Sequence, residues 1–383
     1  MIEVTDKCRC TGCGACSDIC PVGCIRMQED VEGFLYPYVD ENICVACGEC
    51  ERVCPFNNAF SKPSPVAYAV RTSIDSNSSS GGALATLSLK WLKEGGCVFG
   101  AVFDQEMDVV HIKADSEEKL ILLSSSKYVQ SSLDGVFAQV RDTLSSGQKV
   151  LFVGTPCQVA GLRSFIGDSD GLLTVQLACH GVPSAKLWKG YLHSLQSLWG
   201  AKIQSVNFRD KSRGWKNYHV AYTTSSGITK VPFNQDTYML AYLQNLSLRP
   251  SCYNCTFRSS ACADLMAGDL WNAAELLKEY DDSRGFTLLC ACTSAGAKVV
   301  DQLMNESAVV CIPVDYQLAI KGNSGFALAV ENPQRRDDFF DGIYDSDDML
   351  SHMDRFIERK SSGRILYEKI HTFLSKLKKK ILG

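Results

Sequence analysis

The chain has 383 residues, 45% hydrophobic and 21% charged, which is ordinary globular material and long enough for two or three domains. Its net charge of -4 speaks against a nucleic-acid binder, and no apolar stretch approaches the roughly 20 residues that span a bilayer. The anomaly is 19 cysteines, ten of them before residue 55.

Those early cysteines repeat one pattern. Cys10-x2-Cys13-x2-Cys16-x3-Cys20-Pro21 is followed by Cys44-x2-Cys47-x2-Cys50-x3-Cys54-Pro55. This is the bacterial ferredoxin spacing, in which three thiolates of a run hold one 4Fe-4S cube and the fourth crosses to the other. It assigns Cys10, Cys13, Cys16 and Cys54 to one cluster, and Cys44, Cys47, Cys50 and Cys20 to the second. The prolines turn the chain after each crossing cysteine, and Gly12, Gly14 and Gly48 let the backbone approach the sulfurs. Structural zinc closes four ligands per site and seldom draws on one unbroken run ending in Cys-Pro. A disulfide framework does not suit a start, Met1 to Lys7, that is short and polar rather than a secretory signal. Oxygen-sensitive thiolates suit the reducing cytosol, so a cytoplasmic location is expected. Cys8 and Cys24 fall outside the spacing and read as bystanders.

A Pro/Ser spacer, Ser61-Lys62-Pro63-Ser64-Pro65, ends this module. Beyond it, strands are predicted over 66–70, 97–103 and 109–113, with helices over 82–94 and 133–144. A buried strand over 149–153 breaks at Gly154-Thr155-Pro156-Cys157 and enters a helix through Val159, Leu162 and Phe165. The strand over 173–178 repeats that plan, breaking at Cys179-His180-Gly181-Val182-Pro183-Ser184. Strands over 206–208, 219–223 and 229–233 follow, the last two as a hairpin around Ser225-Ser226-Gly227. Strand followed by helix, repeated, argues for an α/β or α+β core.

In such a core, ligands collect at the carboxyl ends of the strands, where helix N-termini favour anionic sulfur or phosphate. Both strand-to-helix turns carry a cysteine, Cys157 and Cys179, and Cys252 and Cys255 add a CxxC downstream. Together they make four thiolates, the number a third 4Fe-4S cluster takes. The alternative is that Cys157 and Cys179 are small buried hydrophobes and that Cys252 and Cys255 hold zinc or stay free. Cys262 is the reserve fourth ligand. Cys97, Cys290, Cys292 and Cys311 lie in apolar, strand-like runs and read as packing residues. Only His180 among the histidines sits in a turn with other functional signals. No Gly-x-Gly-x-x-Gly fingerprint and no phosphate-binding P-loop occurs.

Seven motifs in order then carry a resemblance. They are Ser79-Ser80-Gly81-Gly82, Ser126-Lys127-Tyr128-Val129-Gln130-Ser131, Gly154-Thr155-Pro156-Cys157-Gln158, Cys179-His180-Gly181-Val182-Pro183-Ser184, Phe208-Arg209-Asp210-Lys211 with Gly214-Trp215, Ser251-Cys252-Tyr253-Asn254-Cys255-x-Phe257, and Gly268-Asp269-Leu270-Trp271. In these the chain resembles the coenzyme F420 hydrogenase/dehydrogenase beta-subunit family over residues 1 to about 310. The resemblance implies an iron–sulfur flavoprotein with FAD, less so FMN, in the core. It places Ser80, Gly81 and Gly82 where backbone approaches the flavin or its substrate. Lys127, Tyr128 and Gln130 become polar contacts near the isoalloxazine, and Arg209 and Lys211 meet the diphosphate. The alternative for each is a turn or surface role. The sequence departs from the family at Cys262, ahead of Ala263-Asp264, where an arginine is more usual.

The expected architecture is therefore α+β to α/β: an N-terminal bacterial dicluster ferredoxin module (1–60), a mixed α/β flavin-binding core in two parts (67–147 and 148–330), and a C-terminal helical extension (331–383). In the extension, Leu366, Ile370, Phe373, Leu377 and Ile381 recur at helical spacing beside Lys376, Lys378, Lys379 and Lys380. It reads as a basic tail packing on the core, with peripheral membrane contact as the alternative. The expected function is electron transfer from a ferredoxin or redox partner protein through the clusters to a flavin. That flavin reduces or oxidises coenzyme F420 or another small organic substrate, with glycan or cell-surface metabolism among the settings the resemblance implies. The alternatives are an electron-transfer subunit that docks on a catalytic partner, and a zinc-filled structural protein. Replacing Cys16 by Ser is expected to remove one N-terminal cluster, about four irons, while leaving flavin bound; unchanged iron content would show the ligand assignment to be wrong.

Overall fold

A computed structural model describes residues 1–60, 64–73, 78–260, 262–280, 284–346 and 348–359. The basic run of the tail, 360–383, and the start of the spacer lie outside the described residues. The N-terminal module is built on a hairpin, β1 (Ile25–Glu29) with β2 (Leu35–Val39), flanked by two four-residue helices, Ala15–Asp18 and Glu49–Arg52. Each helix starts one residue after a glycine held at positive φ, Gly14 and Gly48 at 78° and 79°. Only glycine adopts that conformation without penalty, so both cysteine runs make the same sharp entry into their helices.

The core strands are β3 (Val66–Thr72), β4 (Cys97–Phe103), β5 (Val109–Ala114), β6 (Val150–Gly154), β7 (Leu172–Leu177), β8 (Ile203–Asp210), β9 (His219–Thr224), β10 (Gly227–Pro232), β11 (Leu265–Asp269), β12 (Thr287–Ala291) and β13 (Val309–Val314). Eight of them form one sheet in the order β13-β3-β12-β11-β7-β6-β4-β5. The central four, β11, β7, β6 and β4, run parallel, while β5, β12, β3 and β13 join antiparallel to their neighbours. The buried runs Val150–Gly154 and Leu172–Leu177 are apolar nearly throughout, as strands covered on both faces must be. A second sheet, β10-β9-β8, packs its inner face on an aromatic core of Trp188, Tyr191, Phe208, Tyr222 and Tyr238.

The two sequence stretches 67–147 and 148–330 thus share the eight-stranded sheet. β3 lies between β12 and β13, strands more than 200 residues further along the chain. The helix expected over 133–144 spans Val136–Ser145. It starts later because Gly135 takes a left-handed conformation, and because the carboxylate of Asp18, from the ferredoxin module, accepts hydrogen bonds from Gly135 N and Phe137 N at 3.0 Å each. A side chain 117 residues away therefore caps this helix.

The hairpin of the module docks on the C-terminal part of the core. Phe34 is buried edge-on against Phe340, and Arg336, itself buried, donates to Glu32 Oε1 at 2.8 Å. Ser184 Oγ and Tyr344 OH both donate to the Glu32 carbonyl. Of the extension, the helices Arg336–Phe340 and Met349–Phe356 pack on the aromatic core through Phe339 and Met353. Replacing Asp18 by Ala is expected to destabilise the chain by about 1 kcal/mol, the usual worth of an N-cap, read as a lower urea midpoint; an unchanged midpoint would show that this contact contributes nothing.

Candidate functional site

The two thiol sets expected from spacing are assembled as the crossing pattern requires. Cys10, Cys13, Cys16 and Cys54 line one cavity of about 240 Å³, together with Gly12, Met27 and Phe56. Cys20, Cys44, Cys47 and Cys50 line a second, smaller one, where Cys47 is the exposed member. Cys24 also lines the second cavity: its Sγ lies 3.3 Å from Cys20 Sγ, and its backbone N–H donates to Cys20 Sγ at 3.4 Å. Spacing alone gave no signal for this fifth thiol, because only the fold of β1 back onto the Cys44–Cys50 run brings it there.

Burial makes bare thiolates costly in the first set. It pushes Cys13 up to about 11, with the neighbouring Cys10 and Cys54 adding repulsion, and raises Cys16 and Cys54 as well. Four crowded thiolates need positive charge between them, and a metal centre supplies it.

The core brings Cys157, Cys179, Cys252 and Cys255 together. Burial, then repulsion from Cys255, Cys179 and Cys252, raises Cys157. Burial likewise pushes Cys179 up to about 12, against the pull of the Arg258 guanidinium. Cys157 stands in the first turn of the helix Pro156–Ile166, whose start explains the Thr-Pro-Cys-Gln motif. Thr155 is the N-cap, Pro156 occupies a position that needs no N–H, and Gln158 Oε1 reaches back to accept from Thr155 N at 2.9 Å. Cys179 follows β7, and the short helix Pro250–Tyr253 carries Cys252. Beside this set, His180 Nε2 and Arg258 Nε are buried polar atoms without a hydrogen-bond partner among the described residues. Cys262 is turned elsewhere: its thiol points to Gln176 Oε1 at 3.2 Å and to the Pro156 carbonyl. Among the described residues, no three His, Cys, Asp or Glu side chains close on one point as a single-ion site requires.

The first thiol set abuts the core set. Gly161, about one turn after Cys157 in the helix Pro156–Ile166, faces Cys13 so closely that a Cβ on it would lie 3.0 Å from Cys13 Sγ. On the other side, Arg249, three residues before Cys252, donates to the Cys10 carbonyl at 2.9 Å.

A third cluster of groups lies at the carboxyl ends of β3, β8 and β11. The buried Arg209 pairs with Asp269 at 3.4 Å and sits between the rings of Tyr218 and Trp271, 4.2 and 4.9 Å from their centroids. Arg209 Nη2 and Trp215 Nε1 both donate to the Ser79 carbonyl, and Trp215 stacks on Trp271 at 4.6 Å. Among the described residues Arg209 Nε and Asp269 Oδ1 have no hydrogen-bond partner although both atoms are buried. A buried aromatic and polar cradle with unmet hydrogen-bonding atoms suits a flat, polar ligand.

The eight residues expected to face a flavin divide here. Tyr128 and Arg209 meet, with Nη1 of the arginine 3.5 Å from the phenol oxygen. Ser80 Oγ donates to the Phe286 carbonyl beside them, and Lys211 acts electrostatically on Asp269. Gly81 is required for packing: a Cβ would lie 2.3 Å from the Val70 carbonyl oxygen and 2.6 Å from Thr287 N. Gly82, at φ 87°, opens the helix Ala83–Lys93. Lys127 points away, donating to the carbonyls of Leu122, Leu123 and Ser124 at 3.0, 3.0 and 2.8 Å, which closes the helix Glu117–Leu123. Gln130 stands at the module boundary, where its Nε2 donates to the Thr11 carbonyl at 2.9 Å. Tyr218 belongs to no motif; Asp269 and Trp271 belong to the Gly268-Asp269-Leu270-Trp271 motif, to which sequence alone assigns no separate role, and only the packing of the two sheets against each other brings them to Arg209.

Comparison with known proteins agrees with these parts. Residues 9–58 match the 4Fe-4S dicluster domain, and residues 147–316 match the C terminus of the coenzyme F420 hydrogenase/dehydrogenase beta subunit. The chain is 29% identical over 171 residues to the coenzyme F420-dependent sulfite reductase of Methanocaldococcus jannaschii, a match over 42% of this chain that spans about a quarter (26%) of that protein. A solved chain of the F420-reducing NiFe hydrogenase complex from Methanosarcina barkeri is similar at a TM-score of 0.48 and 18% identity, over 70% of this chain and 90% of that one. By fold and site, the protein is a dicluster iron–sulfur module joined to a mixed α/β core. Over residues 147–316 that core is similar to the C terminus of the coenzyme F420 hydrogenase/dehydrogenase beta subunit. Among the described residues no helix is long and apolar enough to cross a membrane.

Replacing Lys127 by Met leaves its carbonyl partners without their donor and is expected to destabilise the chain by roughly 1–3 kcal/mol with iron content unchanged. Wild-type stability would show that the ammonium has no structural role.

Proposed function

We propose that this chain is an iron–sulfur flavoprotein oxidoreductase, taking electrons from a ferredoxin-like donor or a redox partner and exchanging them, at an FAD, with coenzyme F420 or another organic substrate. The observation that carries the reading is the contiguity of the thiol sets: Cys13 against Gly161 of the Cys157 helix, and Cys10 against Arg249 of the Cys252 loop. Bound there, iron–sulfur clusters carry single electrons, and a flavin couples two of them to hydride exchange.

The chain's own groups perform the rest. Cys10, Cys13, Cys16 and Cys54 would hold the first cluster, and Cys20, Cys44, Cys47 and Cys50 the second. Cys157, Cys179, Cys252 and Cys255 would hold a third, with the buried Arg258 guanidinium countering the charge at Cys179. The exposure of Cys47 makes the second set the side a redox partner reaches. Arg209, fixed by Asp269 and flanked by Tyr218 and Trp271, offers a charged donor and aromatic faces to a flavin or its anionic diphosphate. The aromatic core beneath it, with Tyr128 edge-on to Phe208, excludes water from that side. The sulfite reductase relative is F420-dependent by its name, and an F420-linked reaction is the substrate class proposed for this chain.

Anaerobic purification with iron, sulfide and flavin quantified per chain tests this reading. About twelve irons, four per cube, and one flavin are expected. About eight irons would remove the third cluster, and flavin below a tenth of the chains after reconstitution would remove the flavoprotein assignment.

A further inference from the structure

We propose that Arg249 holds the first N-terminal cluster at a higher reduction potential than the second and ties it to the core, so that an electron received by the second cluster is drawn inward. This rests on reading the two N-terminal thiol sets as cluster ligands. Arg249 is 1% exposed, one of the largest fully buried side chains in the molecule. Its Nε donates to the Cys10 carbonyl at 2.9 Å and its Nη2 to the Leu35 carbonyl at 2.8 Å, while Nη2 also lies 3.8 Å from Cys10 Sγ. Nη1 donates to Gln130 Oε1 at 3.2 Å, and the guanidinium lies over the Tyr36 ring at 4.3 Å.

None of these partners is an anion other than the Cys10 sulfur. The acids nearest to Tyr36 are engaged elsewhere, Glu32 with Arg336 and Asp30 with Lys7. The arginine's charge therefore acts, in a water-poor setting, on the ligand sulfur it touches. A hydrogen bond and a full positive charge at a cluster thiolate favour the more negative, reduced state and raise the potential. At the second set the neighbours of Cys20 Sγ are the uncharged Cys24 thiol and N–H, and the nearby Met1 ammonium, which faces Cys50 and Cys44, is solvent-exposed and already paired with Glu51 at 2.8 Å. The two sets share one cysteine spacing but have different electrostatic surroundings.

The same residue is also a mechanical link. Its backbone N–H donates to the Val182 carbonyl, and Cys252 of the core set follows three residues later. Gly12 makes room for it, since a Cβ there would lie 2.8 Å from Arg249 Nη1. Gln130, which donates to Thr11 in the module and accepts from Arg249, completes the clamp from the core side.

Potentiometric titration followed by electron paramagnetic resonance on the full chain tests the proposal, with the first cluster's signal identified as the one missing from Cys16→Ser. In the wild type the first cluster should reduce at the higher potential. Arg249→Gln is expected to lower the midpoint of that signal and leave the other in place, whereas Arg249→Lys, which keeps the charge, stays near wild type. A residue that only braced the fold would not move one midpoint selectively. Equal shifts of both clusters, or none, would overturn the proposal. Should Arg249→Gln lose iron, Gln130→Glu sets a carboxylate against Nη1 and is expected to lower the same midpoint, and an unmoved midpoint again overturns it. A wild-type chain that binds no N-terminal iron would overturn the cluster reading itself; two intact clusters with unmoved midpoints would overturn this proposal alone.

Discussion

The close approach of Cys13 to Gly161 is the constraint on which the rest of the molecule depends. A helix of the core and a loop of the N-terminal module meet so closely that a Cβ on Gly161 would lie 3.0 Å from Cys13 Sγ, tight enough that a neighbour would have to give. Because Gly161 lies four residues after Cys157 on one rigid helix, that contact fixes how far the first thiol set stands from the core set. The other contacts between module and core hold the same arrangement: Asp18 on the N-terminus of Val136–Ser145, Glu32 on Arg336, and Phe56 edge-on to Phe257 at 5.0 Å. Polar and apolar docking are combined, as expected of a joint that must be both specific and water-free.

Buried charge is the second organising theme. Arg209, Arg249, Arg258 and Arg336 are each no more than 4% exposed, an unusual concentration of buried guanidinium groups. Arg336 answers a carboxylate of the module, Arg209 a carboxylate of β11, and Arg249 and Arg258 lie beside cysteines. Leaving a buried guanidinium unpaired is costly. Their positions therefore mark where negative charge, from carboxylate or thiolate, has to be balanced, and they run from the module through the core to the aromatic cradle.

The strongly patterned parts were legible in the sequence. The doubled cysteine run predicted two sets with exchanged fourth members, and the cavities contain those sets. The strands over 97–103, 109–113, 149–153 and 173–178 were visible because each is a short apolar run bounded by turn residues. The four core cysteines could be proposed as one set, since two sat in equivalent strand-to-helix turns. What the sequence left silent was long in range. β12 and β13 pair with β3 across more than 200 residues, and no local pattern encodes that. Gln130 read as part of the ligand site with Lys127 and Tyr128, yet three near neighbours in sequence go to three places: a helix C-terminus, the cradle and the module boundary.

Legible in the sequence by itself were short-range features: the grouping of the N-terminal thiols by their spacing, and the turns that glycine and proline impose. These are set by spacing, φ and helix capping. Only the tertiary structure decided where the groups stand relative to one another. Cys24 came to the second set, Cys262 faced Gln176 and the Pro156 carbonyl, Arg249 reached Cys10, and Asp269, Tyr218 and Trp271 gathered around Arg209. These placements follow from strand order and from packing the module on the core, and both arise from burial summed over the whole chain rather than from any one motif.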